Sequence, residues 1–541
     1  MGTGSKIFNP FVEADQQVNY MCRKIFIFFL SFLLWTGVAT GEAQEVNMKD
    51  YVHRSEYEEL KQNFEALLKR MERMEKQQLK MDPAVRQGTE IPQPKKADED
   101  IVAEKDAPGA EPKDEKKKTV SLHLPKPGDI SPGWVRAEKW RLAEPNQVPA
   151  MDARIAAVGD MDLFMAFDSV GRFQYLTQND VAIGGEVPGS LEPGFQTPFG
   201  NVGFLANFGD IMDVYFDFYV ASRSHPDYMQ GGQGYVLFRD LPDRLKGYKP
   251  LNWVFETLDF KAGGFEIDFG DAHYRRSNNA AVQANPLIGN YVVDPRAMDI
   301  GLEVINPTSP IKWLAGFGSG SYEGHFDQGG GYSVHGKIWG DPAPDLRTSL
   351  SLYYSDHSGD GPGWPPGNGT AGNLFVTNRS GGSYGGVLGD GDAPGQVLPG
   401  AGQNVTATQL DLTWRGHPVE LYGHFGWMQD ADINGSAPGS PEDSWFYYAG
   451  EGIYAITDRL YLAGRYSGAS ARYLADLSSS GMVNRIQFGG GYWFLDTVLC
   501  KVEFVYQEYT NFDEQNGKIS GVDAWLGPSF KGVVTEVSFG F

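Results

Sequence analysis

The sequence predicts an all-β fold: a 16-stranded antiparallel transmembrane β-barrel with an N-terminal coiled-coil helix and a flexible linker. Three observations support this. An export signal lies near the N-terminus, sixteen later segments alternate apolar and polar residues, and the connections between them alternate in length. We divide the chain into an upstream extension plus signal peptide over 1–43, a helix over 44–81, a linker over 82–155 and a barrel over 156–541.

The N-terminal region is predicted to be an export signal. Arg23 and Lys24 precede an apolar run from Ile25 to Trp35, and the small residues Gly41 and Ala43 follow where a signal peptidase would cleave. The apolar run is 11 residues long, whereas a membrane-spanning helix needs about 20. We therefore interpret this region as a signal peptide behind an upstream extension, with an N-terminal anchor helix as the alternative.

A helix with a heptad pattern is predicted over 44–81. Its apolar residues recur at spacings of three and four, which is typical of a coiled coil. These core residues are Tyr57, Leu60, Phe64, Leu67, Met71 and Met74. A single amphipathic helix lying on another surface is the alternative. Residues 82–155 are rich in Pro, Ala, Glu, Asp and Lys, and we predict a flexible charged linker there.

In the barrel region the apolar residues recur at every second position, as in half-buried strands. In DVYFDFYVAS, for example, Asp213 and Asp217 alternate with Val214 and Phe216. Segments of this kind lie near 161–176, 200–207, 211–224, 252–261, 264–274, 297–305, 310–320, 331–340, 346–356, 404–415, 418–428, 444–455, 459–470, 485–494, 497–510 and 530–541. A closed sheet of such strands presents one face to lipid and the other to water.

The connections between these segments alternate between short and long. Short turns are predicted after Asn207 and at 262–264, 306–310, 341–345, 416–418, 456–458 and 495–497. Long connections fill the other gaps, and the longest is rich in Gly and Pro. A soluble sandwich does not require this alternation, whereas a transmembrane barrel has short turns at one end and long loops at the other. Both barrel termini are then predicted on the short-turn side.

The chain ends on a regular strand pattern, VVTEVSFGF. Val533, Val537 and Phe539 share one face with the terminal Phe541, while Glu536 lies on the other. We predict that this sixteenth strand pairs with the first strand and closes the barrel, since closure removes both sheet edges.

The chain resembles Gram-negative outer-membrane porins in three features: the signal peptide, the sixteen strands and the final TEVSFGF. The helix ahead of the barrel, and LDFKAGGFEIDFGDAHYRR interpreted as a hairpin, resemble the broad group that includes the phosphate-selective porins of the O/P type. The resemblance implies a homotrimer, and Phe541 as a C-terminal assembly signal for the barrel-assembly machinery. Phosphate-selective pores are lined with bases, whereas this barrel is acidic, so phosphate selectivity is not carried over.

Strand phase predicts which charged residues face the interior. The predicted pore-lining residues are Asp213, Asp217, Glu266, Asp268, Asp299, Glu303, Lys312, Lys337, Arg347, Arg465, Arg485, Lys501 and Glu503. Acids are expected to cluster on one arc and bases on others. Opposed charges across an aqueous section produce a transverse field, and rings of charge set ion preference.

The third long loop, about 275–296, is the predicted constriction. In related porins the third loop folds into the pore, so by resemblance Arg275 and Arg276 at its root are constriction candidates. They are expected to face acids such as Glu266 and Asp268. The alternative is an ordinary surface loop with a basic root.

These predictions lead to a functional expectation. The chain is expected to be a water-filled, cation-preferring diffusion channel for small hydrophilic solutes or ions, in lipid of the bacterial outer membrane, with the helix and both barrel termini periplasmic. The alternative is a barrel sheath around a partner such as a multihaem cytochrome. No enzyme activity, cofactor or metal is expected, because strand phase assembles no catalytic set. The net charge of −23 argues against nucleic acid as a partner.

Overall fold

The computed structural model describes residues 120–122, 131–149, 151–179, 191–196, 198–221, 229–277, 281–295, 298–320, 332–356, 384–387, 395–396, 404–431, 443–473, 481–510, 518–519, 522–523 and 529–541. The predicted signal peptide, the predicted helix with its core residues Tyr57 to Met74, and most of the predicted linker lie outside these residues.

Sixteen antiparallel strands of the described chain form one closed barrel. They are β1 Met161–Asn179, β2 Phe199–Asn207, β3 Met212–Ala221, β4 Met229–Phe238, β5 Asp259–Glu266, β6 Met298–Asn306, β7 Lys312–Gly318, β8 Tyr332–Ala343, β9 Leu346–Asp356, β10 Asn404–Gly416, β11 Val419–Ala431, β12 Asp443–Thr457, β13 Leu460–Tyr473, β14 Met482–Leu495, β15 Val498–Thr510 and β16 Ser529–Gly540. Each strand pairs with the next, and β16 pairs with β1. The predicted closure is confirmed.

The two faces of the strands differ as the period of two requires. On β16, Val533, Val537 and Phe539 are exposed on the outside, while Glu536 is 1% exposed inside the barrel. At the end of the chain, the backbone N–H and C=O of Phe541 bond to the C=O and N–H of Phe167 on β1, at 3.0 and 3.1 Å. The seam is therefore bonded to the last residue.

The alternation of short and long connections is confirmed at all but one position. Six connections at one end of the barrel contain two to five residues, and we call this the short-turn end. The seventh connection at that end, 239–258, is long and contains helix α2, Lys249–Phe255. Eight connections, most of them longer, join the strands at the opposite, long-loop end.

The fourth and fifth predicted strands, 252–261 and 264–274, are wrong. The fourth strand is β4, whose glycine-rich MQGGQGYVLF has too few side chains to show a period of two. The triplet AGG at 262–264, predicted as a turn, lies inside β5. Gly263 has φ +137°, and a Cβ there would lie 2.4 Å from the carbonyl oxygen of Gly234. These glycines therefore permit a close approach of β4 and β5, and the hairpin on which the phosphate-porin resemblance partly depended is absent.

Part of the predicted flexible linker is ordered against the barrel. Residues 131–149 include helix α1, Gly133–Arg141, and the following strand Ala153–Val158 pairs with the start of β1. A further short strand, Val120–Leu122, pairs with Ala153–Val158. The remaining short strands are Gly194–Phe195, Lys518–Ile519 and Val522–Asp523, and Ala272–Arg275 is a 3-10 helix. None of the helices in the described ranges has the length and apolar character needed to cross a membrane.

Candidate functional site

The third long connection lies inside the barrel. We call residues 267–277 and 281–295 the inner loop. The inner loop starts at β5, and its far part contacts β13, β15 and β16. Since β5 and β13 are eight strands apart in a closed ring of sixteen, the loop crosses the lumen. Almost every residue of 281–295 is buried.

The root of the inner loop is held by a buried ion-pair cluster. Glu451 on β12 accepts hydrogen bonds from Arg275 of the loop, at 2.6 and 2.8 Å, and from Arg465 on β13, at 2.5 and 2.8 Å. Arg275 also bonds to Glu420 on β11. The side chains of Arg275, Arg465 and Glu451 are at most 1% exposed. The carboxylate of Glu451 therefore connects the loop to the barrel wall.

The far part of the inner loop is held through its backbone. Lys501 donates to the carbonyls of Val282, Asn285 and Leu287 at 2.9–3.2 Å. Glu503 accepts from the amides of Ile288 and Gly289 at 2.6 and 3.0 Å. Arg465 and Arg485 likewise donate to the carbonyls of Gly289 and Asn290. The bases on β13–β15 thus fix the loop position.

Two further ionic clusters involve the start of the inner loop. In the first, Lys261 on β5 lies 3.0 Å from both Asp268 and Glu303, and His335 on β8 lies 2.9 Å from Glu303. In the second, Asp271 pairs with Lys337 at 2.7 Å and Arg347 at 3.4 Å. Acids and bases are therefore paired within each cluster, and two of them, Lys261 and Asp271, are not among the predicted pore-lining residues.

The thirteen predicted pore-lining residues all lie on the inner side of the barrel or at the start of the inner loop. Eleven are buried, while Glu266 and Lys312 are half-buried. Among those outside the clusters above, Asp213 pairs with Arg239, Asp217 accepts from Tyr215 at 3.1 Å, and Asp299 accepts from Ser319 at 3.1 Å. Whether solute passes these side chains remains a proposal.

The contacts of the two constriction candidates differ from each other. Arg276 lies 3.5 Å from Glu266, as predicted, and 2.8 Å from Asp294. Arg275 faces neither Glu266 nor Asp268, because its side chain extends toward Glu420 and Glu451. The sequence interpretation paired Arg275 with acids near it in the chain, whereas loop crossing brings it to the opposite wall.

Several residues of the site were missed from the sequence. Glu451 shares its inward phase with Trp445, Tyr447, Ala449 and Ile453, so its strand looks apolar inside and shows no charged period. Gly450 and Gly452 flank Glu451 on the outward face, which removes the usual contrast at this point of the strand. Strand phase alone could have assigned Glu451 to the interior, but its partners could not have been identified.

The pKa values of the loop carboxylates predict a stable loop at mildly acidic pH. Burial alone would raise the pKa of Asp271, but Arg347 and Lys337 hold it below its ordinary value. Burial alone would also raise the pKa of Asp268, but Lys261 and His273 hold it well below its ordinary value. When the pKa of a carboxylate is lower in the folded than in the unfolded protein, the group stabilises the fold at pH values above its unfolded-state pKa. This stabilisation is lost as the pH falls through the folded-state pKa.

We therefore expect the ion pairs of Asp268 and Asp271 to persist from about pH 7 to about pH 4 and to break only at lower pH, where single-channel noise should rise. Recordings over this range test it. In Asp271→Asn, the noise should be raised at pH 7, because Lys337 and Arg347 lose their carboxylate. A rise in noise between about pH 5 and 6 that is present in the unmodified protein and absent from Asp271→Asn would contradict the assignment.

The fully buried side chains of the interior include more carboxylates than bases. Among the described residues, fourteen carboxylates and nine Lys or Arg side chains are buried, an excess of five acids. Some carboxylates are bonded to neutral donors. Asp168, for example, accepts from the backbone and side-chain N–H of Asn201 at 2.7 and 3.1 Å. Acidic side chains along a passage favour cations.

Comparisons with known proteins give structural likeness only. No family model matches the chain, and no curated protein matches it. OmpT, an outer membrane protein of Vibrio cholerae, is 9% identical with a TM-score of 0.44, over 71% of this chain and 98% of that one. The anion-selective porin from Comamonas acidovorans is 11% identical with a TM-score of 0.43, over 70% and 100%.

The outer membrane channel DcaP of Acinetobacter baumannii is 12% identical with a TM-score of 0.41, over 70% of this chain and 97% of that one. At these identities and TM-scores the likenesses assign neither a family nor a function to this chain.

Proposed function

We propose that the protein is a porin: a passive, water-filled diffusion channel of the bacterial outer membrane for small hydrophilic solutes. The supporting observation is the closed sixteen-strand barrel with an apolar outside and a charged interior. Large apolar side chains such as Phe317, Phe488 and Val502 are 51–60% exposed on the outside, which suits a lipid environment. A barrel of this size is wide enough for an aqueous channel.

The proposal is tested by reconstituting the full chain in a planar bilayer. Stepwise conductance with linear dependence on voltage is expected. Folded protein that inserts and gives no conductance would contradict a diffusion channel. No chemical step is required of the chain, and we propose no enzyme activity.

We further propose cation preference, supported by the five-acid excess of the interior. Replacing Asp168, Asp217 and Asp299 by Asn removes three of these carboxylates, so the preference measured by reversal potential in a salt gradient at about pH 8 should fall. The matched control replaces three exposed aspartates at the short-turn end, Asp160, Asp210 and Asp458. An anion-selective unmodified channel, or equal effects in both variants, would contradict the proposal.

The contacts described here disfavour a sheath around a partner protein. The inner loop and residues 131–149 occupy space inside the described barrel. A partner threading the barrel would require both to leave, and their buried ion pairs oppose this.

Assembly and orientation follow from the sequence resemblance. We propose a homotrimer with the short-turn end, the predicted helix and both barrel termini in the periplasm, and Phe541 as the signal for the barrel-assembly machinery. The heptad pattern and the bonded position of Phe541 beside Phe167 support these assignments.

A further inference from the structure

Residues 131–149, which we call the collar, contact the inner rim of the short-turn end over much of its circumference. The collar starts at the turn between β14 and β15, where the amide of Gly133 donates to the carbonyl of Asp496 at 2.6 Å. Arg136 donates to the carbonyl of Gly540 on β16 at 2.7 Å. Its first turn is thus fixed beside the seam.

The middle of the collar is fixed by charge pairs to the next part of the rim. Arg141 bonds to both carboxylate oxygens of Glu420 on β11, at 3.1 and 3.2 Å. Glu138 pairs with Arg415 on β10. Arg347 on β9 donates to the carbonyls of Leu142 and Ala143 at 3.1 Å. Helix α1 is therefore held through both its side chains and its C-terminal backbone.

The end of the collar continues around the rim in the same direction. Glu144 pairs with Lys312 on β7. Asn146 donates to Asp259 on β5 at 2.9 Å, and its carbonyl accepts from Arg239, just after β4, at 3.1 Å. The chain then enters the strand that pairs with β1. A mobile linker has no such series of partners on successive strands.

The collar also contacts the inner loop. Arg141 donates to the carbonyl of Ala284 at 3.4 Å, and the rings of Trp140 and Tyr274 lie 5.4 Å apart in an edge-to-face arrangement. A solute leaving the inner loop at this end therefore meets the collar directly.

The collar leaves unequal space on its two sides. Toward β10–β13, a cavity of about 360 Å³ lies between α1 and the rim. Trp134, Tyr461 and Trp493 contribute aromatic surface to it, and Arg141, Arg415 and Glu420 contribute charge. Toward β4 and β5, the cavity beside Trp140 has a volume of about 40 Å³.

We propose that the collar sets the size limit for solutes at the short-turn end, and that solutes pass through the gap between α1 and the β12–β13 rim, beside the ion pairs that join α1 to β10 and β11. This rests on the proposed channel function and adds a second narrowing, formed by a segment outside the sixteen strands. Trp134 borders the larger gap, whereas Trp140 is packed against the inner loop on the filled side. The size of the side chain at position 134 should therefore affect the passage of solutes more strongly than the size of the side chain at position 140.

The test replaces residues 133–147 of the full chain by a Gly/Ser stretch of equal length. Conductance should rise severalfold, and larger neutral polymers should enter from the short-turn end. The control replaces residues 243–255, which include α2. Since α2 has no buried residue, this replacement should leave the conductance and the polymer size limit unchanged. Unfolding temperature is measured for each variant to show that the barrel is folded.

Single substitutions distinguish widening of the gap at Trp134 from a general loosening of the collar. Trp134→Ala should raise conductance and the polymer limit, and Trp140→Ala should change them less. Unchanged conductance and polymer limit in a folded 133–147 variant would overturn the proposal, as would equal effects of the two tryptophan variants. An unmodified chain without conductance would instead contradict the channel function itself.

Discussion

Replacing Glu451 with Ala should release the inner loop while leaving the barrel closed. The substitution leaves the guanidinium groups of Arg275 and Arg465 buried beside each other without their shared carboxylate. Removing one member of a buried ion pair costs about 3–5 kcal/mol when the remaining charge is uncompensated, which applies to Arg465, whereas Arg275 keeps Glu420 as a partner. Single-channel recordings should show higher conductance and more noise, while the thermal unfolding midpoint of the barrel changes little.

Two controls isolate the role of Glu451. Glu508→Ala removes a half-buried carboxylate on β15 that accepts from Tyr506, and should leave the conductance unchanged. Replacing Arg275, Glu451 and Arg465 together by Met removes all three charges, and should lower the noise again because no charge remains unpaired. Wild-type conductance in folded Glu451→Ala would show that this carboxylate does not hold the loop.

Replacing Glu536 with Ala should weaken the barrel seam. Glu536 on β16 lies 2.6 Å from Lys501 on β15 and 2.7 Å from Arg172 on β1, its neighbours in register on both sides. The three side chains are at most 1% exposed. The loss of stability should again be about 3–5 kcal/mol, but here it affects the pairing that closes the barrel.

Thermal unfolding followed by circular dichroism measures this effect. Glu536→Ala should unfold at a clearly lower temperature than the unmodified protein. Ser538→Ala on the same inward face is the matched control, because its hydroxyl makes one long bond of 3.4 Å to the carbonyl of Leu499. Equal unfolding temperatures for the two variants would mean that the ion pair contributes nothing to the seam.

The Glu451 and Glu536 variants also serve as controls for each other. Glu451→Ala should alter conductance more than barrel stability, whereas Glu536→Ala should alter barrel stability more than conductance. The difference follows from their partners, which are the inner loop for Glu451 and the terminal strands for Glu536.

Much of the barrel was predictable from local pattern. A period of two identifies a strand from its own residues, so fourteen of the sixteen strands, six short turns and the seam were assigned from the sequence. The same reasoning failed at β4 and at AGG in β5, because glycine has no side chain with which to show a period. Gly263 allows the close approach of β4 to β5, and this contact depends on the neighbouring strand rather than on the local sequence.

The sequence by itself determined the number of strands, the inward side of fourteen of them and the last strand of the chain, since these depend on alternation along one segment. Tertiary structure alone decided which charges pair and what fills the interior. Arg275 and Glu451 are 176 residues apart, and Arg141 and Glu420 are 279 apart. Such pairs form only after closure of the barrel brings the inner loop and helix α1 against the wall, and no local pattern specifies those positions.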